Sequence, residues 1–92
     1  MNKSKLIEVA AEAAEFTKKD MEIALNAVLD AIQNAVAAGS EVKLVGFGTF
    51  KPIFAQAREG RNPQTGESIK ISATHKPVFR AGQGFKDKVA RR

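Results

Sequence analysis

Apolar residues along this chain follow two different periods, and the change from one to the other divides it. Leu6, Ile7, Ala10, Ala11 and Ala14 recur at three- and four-residue spacing opposite Glu8, Glu12 and Glu15, which predicts a first helix with one buried stripe. Asn2 or Ser4 can cap it, and Phe16 is its expected end. Thr17-Lys18-Lys19-Asp20 has the form of a capping box, with Thr17 accepting from a first-turn N–H and Asp20 near the positive end of the dipole. Met21, Ala24, Leu25, Val28, Ile32 and Val36 then mark a longer second helix. Leu29, Ala31 and Ala35 widen its apolar surface beyond one face, and Gly39 stands where a helix takes a left-handed residue. The pair reads as a helical hairpin.

From Val42 the pattern changes toward alternation. Val42 and Leu44 begin a strand, Val45-Gly46-Phe47-Gly48 makes a tight turn, and a second strand starts near Thr49. The two glycines allow positive φ or close backbone approach, and Phe47 and Phe50 supply large apolar area. Pro52 predicts an edge or a kink, since proline cannot donate to a ladder. Ile53 and Phe54 are neighbours in this strand, so one of them points outward; the sequence leaves open which. Further on, Ile69, Ile71 and Ala73 alternate with Lys70, Ser72 and Thr74 as a return strand with one apolar and one polar face. Pro77-Val78-Phe79 closes the strand region. Residues Ala81 to Val89 predict a short last helix with Phe85 and Val89 facing inward, weakened by roughly 1 kcal/mol for each of Gly82 and Gly84 that lies in its interior.

Between the alternating runs lies Arg58-Glu59-Gly60-Arg61-Asn62-Pro63-Gln64-Thr65-Gly66, whose Gly, Asn and Pro content predicts a hairpin tip. Cations flank it and a stiff apolar ring sits at its end, a combination suited to touching an anion. The element order is α+β: a helical base, a three-stranded antiparallel sheet extended into a β-ribbon arm over about residues 53–76, and a short C-terminal helix. Residues 1–92 read as a single domain, without repeats or linker. The apolar inventory is too spread out for one compact monomer, so a dimer with a core shared between chains is expected.

Charge adds a direction to this picture. Residues 1–45 carry five Lys against seven Asp or Glu, a net of −2, whereas residues 46–92 carry ten Lys or Arg against three acids, a net of +7. The positive field belongs to the hairpin half, which points to a polyanion such as nucleic acid or to an acidic membrane surface. A merely soluble basic protein is the plain alternative. Cysteine is absent, so disulfides and thiolate sites are excluded. Asn2-Lys3-Ser4-Lys5 leads directly into the periodic helix, so no signal-peptide hydrophobic region is expected, and no apolar run reaches the roughly 18–20 residues of a membrane span.

Motifs for catalysis fail on spacing. Five residues separate Gly60 from Gly66 and Glu67 follows, so the P-loop spacing and lysine are both missing; Gly46-Phe47-Gly48 lacks a third glycine and opens a strand, not a helix. His75 is the only histidine and, without Cys or clustered carboxylates, reads as a strand residue, not a metal ligand. Phe47, Phe50, Phe79 and Phe85 read as core. Neither an enzyme, a cofactor, a metal nor a small-molecule substrate is expected. For Pro63 the residue chemistry fits an ordinary turn proline and an apolar wedge equally well, and for Lys70, Lys76 and Arg80 a solvated strand face is as open as a nucleic-acid contact. Arg58 and Arg61 suit a narrow minor groove, where phosphate potential concentrates.

Val45-Gly46-Phe47-Gly48-Thr49-Phe50, followed by Gly60-Arg61-Asn62-Pro63-Gln64-Thr65-Gly66, resembles the bacterial histone-like HU and integration host factor family, closest to HU. Met1-Asn2-Lys3 and Phe85-Lys86-Asp87-Lys88-Val89 are similar to the same family, so the resemblance spans essentially the whole chain. It implies an intertwined homodimer whose two arms embrace double-stranded DNA through the minor groove, bending and condensing it in the cytoplasmic nucleoid. It implies a kinking wedge at Pro63, groove or backbone contacts from Arg58, Arg61, Asn62 and Lys70, and flanking contacts from Lys3 and Lys86. Departures from the family pattern at Ala55, Gln56, Glu67, Ala81 and Gln83 bear on the flank contacts and affinity. A sequence-specific factor of the integration host factor kind, a general RNA or nucleic-acid module, and a protein- or membrane-surface domain are the alternatives.

Overall fold

The computed structural model describes all 92 residues, the side chain of Ile71 excepted; the expected place of that side chain on the apolar face of the return strand lies outside the described residues. Two compact units, Met1–Asn34 and Ala35–Arg92, are described in turn.

Helix α1 runs Lys3–Ala14, and its cap is Asn2, whose Oδ1 accepts from the Lys5 N–H at 2.9 Å. The helix stops two residues before Phe16. Glu15 takes the left-handed conformation (φ 59°), the Phe16 N–H reaches the Ala11 carbonyl at 2.9 Å and the Glu15 N–H reaches that of Glu12 at 3.3 Å. That double closure normally uses glycine, which is why the sequence pattern does not mark this end. Helix α2 spans Lys18–Ala37 and begins as expected, with Thr17 Oγ1 accepting from the Asp20 N–H at 3.1 Å. Thr17→Ala removes this acceptor and should cost about 1 kcal/mol, or about 4–8 °C in thermal unfolding for a chain of this size. Circular dichroism melts of Thr17→Ala and Thr17→Ser test it; equal losses in both would show that the hydroxyl is not responsible.

In the second unit α2 ends by the same closure on a glycine. Gly39 has φ 96°, and the Gly39 and Ser40 N–H groups reach the Val36 and Ala35 carbonyls at 3.0 and 2.9 Å. Strands β1 (Val42–Leu44), β2 (Gly48–Ala55), β3 (Arg58–Arg61), β4 (Ser68–Ile71) and β5 (Thr74–Ala81) follow, and helix α3 (Gln83–Ala90) closes the chain. β1, β2 and β5 form one antiparallel sheet in that order; β3 and β4 form a second. Each long strand expected from the sequence is therefore broken once, at Gln56-Ala57 and at Ser72-Ala73.

The breaks do not shift the register. Pairing continues from Gly48↔Ala81 through Ala55↔Thr74, skips two residues on each side, and resumes as Arg58↔Ile71 through Arg61↔Ser68. Pro52 sits directly opposite Pro77. Two residues without N–H groups can face each other only as a non-hydrogen-bonded pair. The partnerless nitrogens then point outward, and on the β2 side no bond is lost because β1 pairs only as far as Phe50.

The rings of Phe47, Phe50, Phe79 and Phe85 cluster with centroids 4.7–6.4 Å apart, within the range of favourable aromatic contact. Gly82 is the extended cap of α3, its N–H donating to the Phe47 carbonyl at 2.8 Å, so it carries no helix-interior penalty. Gly84 lies in the first turn, where an added Cβ would come 3.2 Å from the Gly46 carbonyl oxygen. Phe85 faces the cluster as expected. Val89 does not; it is 49% exposed, one helical turn beyond Phe85.

Candidate nucleic-acid interface

Alternation along a paired strand sends successive side chains to opposite faces, so the register assigns the cations to faces. In the three-stranded sheet, Thr49 pairs with Arg80, Lys51 with Val78 and Ile53 with Lys76, and these six share one face. The opposite face carries Phe50, Pro52 and Phe54 against Phe79, Pro77 and His75. In the ribbon, Glu59 pairs with Lys70 and Arg61 with Ser68 on one face, while Arg58, Gly60 and Ile69 belong to the other. Because two residues are skipped on each strand at the break, the phase of alternation is the same on both sides of it.

The site residues read from the sequence are thus partly brought together. Arg61 and Lys70 share a ribbon face with one acid, Glu59; Lys76 and Arg80 share the face of the larger sheet that has the same phase. Arg58 is assigned to the other ribbon face, although it also borders a shallow open hollow with Ala57, Glu59, Lys70 and Ser72. All five cations are exposed. Among the described residues the ion pair within 4.0 Å is Lys5–Glu8, so the arm cations are not neutralised by it. Sequence reasoning missed Lys51, which lies on the cationic sheet face; the period-two pattern Thr49, Lys51, Ile53 was the available signal, obscured by Pro52.

The tip is built around Asn62. Its N–H donates to the Glu67 carbonyl at 2.8 Å, its carbonyl accepts from the Gly66 N–H at 2.7 Å, and its Oδ1 accepts from the Gln64 N–H at 2.9 Å. Gly66 has φ 74°, which few other residues adopt at low cost. Thr65 Oγ1 accepts from the Glu67 N–H at 3.3 Å. Asn62 bonds past Pro63, whose ring nitrogen has nothing to donate and whose φ suits the position after the turn's first residue. Pro63 is left exposed at the end of the ribbon.

Elsewhere, Lys3 opens α1 and donates from Nζ to Asn26 Oδ1 at 2.6 Å, a neutral partner that leaves its charge intact. Lys86 is exposed on α3. Of the neighbours Ile53 and Phe54, Phe54 is the exposed one, at 56%, although it shares the sheet face of Phe50 and Pro52; its ring centroid lies 5.1 Å from that of His75. His75 is a strand residue in β5, and no group of three or more His, Cys, Asp or Glu gathers as a metal site among the described residues. No helix among them is long and apolar enough to cross a membrane.

Three helices and a three-stranded sheet that runs in register into a cationic ribbon tipped by proline define a basic β-ribbon protein of the α+β class. Residues 1–90 match the profile described as bacterial DNA-binding protein, and the chain belongs to that family. It is 54% identical over 89 residues to the DNA-binding protein HU of Clostridium pasteurianum, covering 97% of this chain and 98% of the relative. It is 53% identical to the HU of Pasteurella multocida, with coverage of 97% and 99%. Among solved structures it resembles the HU chain of an Anabaena HU–DNA cocrystal, with TM-score 0.92, 48% identity and full coverage of both chains. It also resembles HU from Thermotoga maritima, with TM-score 0.68, 31% identity and coverage of 97% and 98%.

Proposed function

We propose that this chain is an architectural protein that binds duplex DNA with little sequence preference, bends it and compacts it, as a non-enzymatic component of the cytoplasmic nucleoid. The observation that carries this reading is the continuous register from the three-stranded sheet to the tip, which keeps Arg80, Lys76, Lys70 and Arg61 in one phase behind an exposed Pro63. The HU relatives and the cocrystallised Anabaena protein support it.

In this reading Arg61, Lys70 and, from the other ribbon face, Arg58 meet the minor groove and its phosphates, where cations are favoured by the concentrated negative potential. Asn62 holds the tip, and Pro63 enters a base step. Lys76 and Arg80 on the sheet, Lys3 on α1 and Lys86 on α3 take phosphates nearer the body. A two-stranded ribbon has no core of its own and is marginal in water, so contact with DNA supplies the ordering surface.

The working unit is a homodimer, in which residues 1–92 act as one domain with the arm over about 53–76. Few apolar side chains among the described residues are hidden in the single chain: the buried hydrophobic ones are Ile7, Ala11 and Val36, while Phe47, Phe79 and Leu44 are 45, 41 and 40% exposed. A second copy is the cover that this surface calls for. A concentration-independent monomer mass in analytical ultracentrifugation would overturn the dimer.

Gel shifts over a salt series test DNA binding. The log–log slope should be steep, at roughly −0.9 per phosphate neutralised, and similar for random duplexes. A nearly flat plot counts against the proposal. A large preference for one site would indicate a sequence-specific factor, and equal affinity for structured RNA would indicate a general nucleic-acid module.

A further inference from the structure

We propose that Lys51 is a DNA-phosphate contact, the centre of a three-cation cluster with Lys76 and Arg80 on the face of the three-stranded sheet opposite the phenylalanine cluster. The inference rests on the DNA-binding reading above and adds to it a residue that no sequence motif marks. Register places Lys51 between the other two. It faces Val78, and Arg80 and Lys76 are its diagonal neighbours across the β2–β5 pair, a relation that brings Cβ atoms to about 7–8 Å or less. The eight residues of the paired stretch on this face are Thr49, Lys51, Ile53 and Ala55 with Thr74, Lys76, Val78 and Arg80. None is acidic.

Like charges set this close on one sheet face weaken it; none of these eight residues offsets them, and Lys43 of β1, opposite Thr49, adds a further cation to the face. An ordinary solvated face intersperses the two signs. A face that gathers one sign is suited to an external polyanion. Lys51 differs from its two exposed companions in being half-buried. Register flanks it with Val78 opposite and Ile53 two residues along its own strand, apolar neighbours that suit the stem of a lysine whose ammonium is presented to solvent. Lys76 and Arg80, four residues apart on β5, are separated by about 13 Å at strand rise, with Lys51 between them on the neighbouring strand. This spread covers several phosphates of a strand that rises about 3.4 Å per nucleotide.

The test is fluorescence anisotropy of a labelled random duplex over a salt series, using the full chain, Lys51→Gln and Lys51→Arg. Lys51→Gln should make the log–log salt slope shallower by about 0.9, the loss of one phosphate contact, and weaken low-salt binding severalfold for any sequence. Lys51→Arg should keep the wild-type slope. Thermal unfolding of Lys51→Gln should occur at or above the wild-type temperature, because repulsion is relieved; this separates lost contact from lost fold. A Lys51→Gln slope equal to wild type overturns the inference while leaving the DNA-binding reading in place. Absence of salt-dependent binding in the wild type overturns that reading instead.

Discussion

Gly48→Ala should lower the unfolding temperature by roughly 10–20 °C, although it adds one methyl group. Gly48 is buried at the start of β2, paired with Ala81. A Cβ there would come 2.5 Å from two ring carbons of Phe79 and 2.7 Å from the Arg80 carbonyl oxygen. The phenyl ring cannot swing away freely, since it packs against Phe47, Phe50 and Phe85. The Arg80 carbonyl belongs to the strand paired with β2, so moving it disturbs the ladder. Overpacking of this kind costs about 1–3 kcal/mol, a large share of the margin available to a chain of this length, and each kcal/mol is worth about 4–8 °C at this size. Circular dichroism melts at fixed protein concentration decide it. A midpoint within about 2 °C of wild type would show that the aromatic cluster yields more easily than its packing suggests.

Pro63→Ala should leave folding and most of the affinity in place but reduce bending sharply. The bonds that shape the tip run through Asn62, Gln64, Thr65, Gly66 and Glu67, none of them through Pro63, so the loop survives the substitution. What is lost is a rigid apolar ring at its exposed end. Unstacking a base step costs a few kcal/mol, and an alanine methyl has too little surface to hold the step open. Bending a 20–30 bp site smoothly costs about 1–6 kcal/mol, so a loss of ~1.4 kcal/mol of kink stabilisation should cut protein-assisted ring closure of a duplex near one persistence length by about tenfold. Cyclisation at saturating protein measures this directly. Undiminished ring closure would assign Pro63 to the turn alone.

Local rules carried much of the fold into view, and their failures are specific. The caps at Asn2 and Thr17, the left-handed Gly39 and the strand character of residues 42–81 are set by near neighbours, and the sequence shows them. The end of α1 is not marked in the sequence because Glu15 does in this chain what glycine usually does. Gly46 and Gly48 looked alike in the sequence. The structure separates them: Gly46 has φ 83°, whereas Gly48 is small because Phe79, thirty-one positions later, lies over it. Val89 has the spacing of a buried residue, but an eight-residue helix reaches the aromatic cluster only through Phe85.

The candidate site divides in the same way. Its cations, its turn residues and the charge difference between the two halves are properties of composition and short-range order, so the sequence by itself determined that this chain carries a basic hairpin ending in proline on an α+β frame. Which cations share a face depends on which residues pair across the ribbon, and alternation within one strand cannot say that. Tertiary structure alone decided that Lys51 stands with Lys76 and Arg80, that Arg58 is set apart from Arg61 and Lys70, and that Phe54, not Ile53, is the exposed one of the two. The physical reason is the period of two: a strand assigns its own residues to two sides, but only the register of its partner determines which charges meet there.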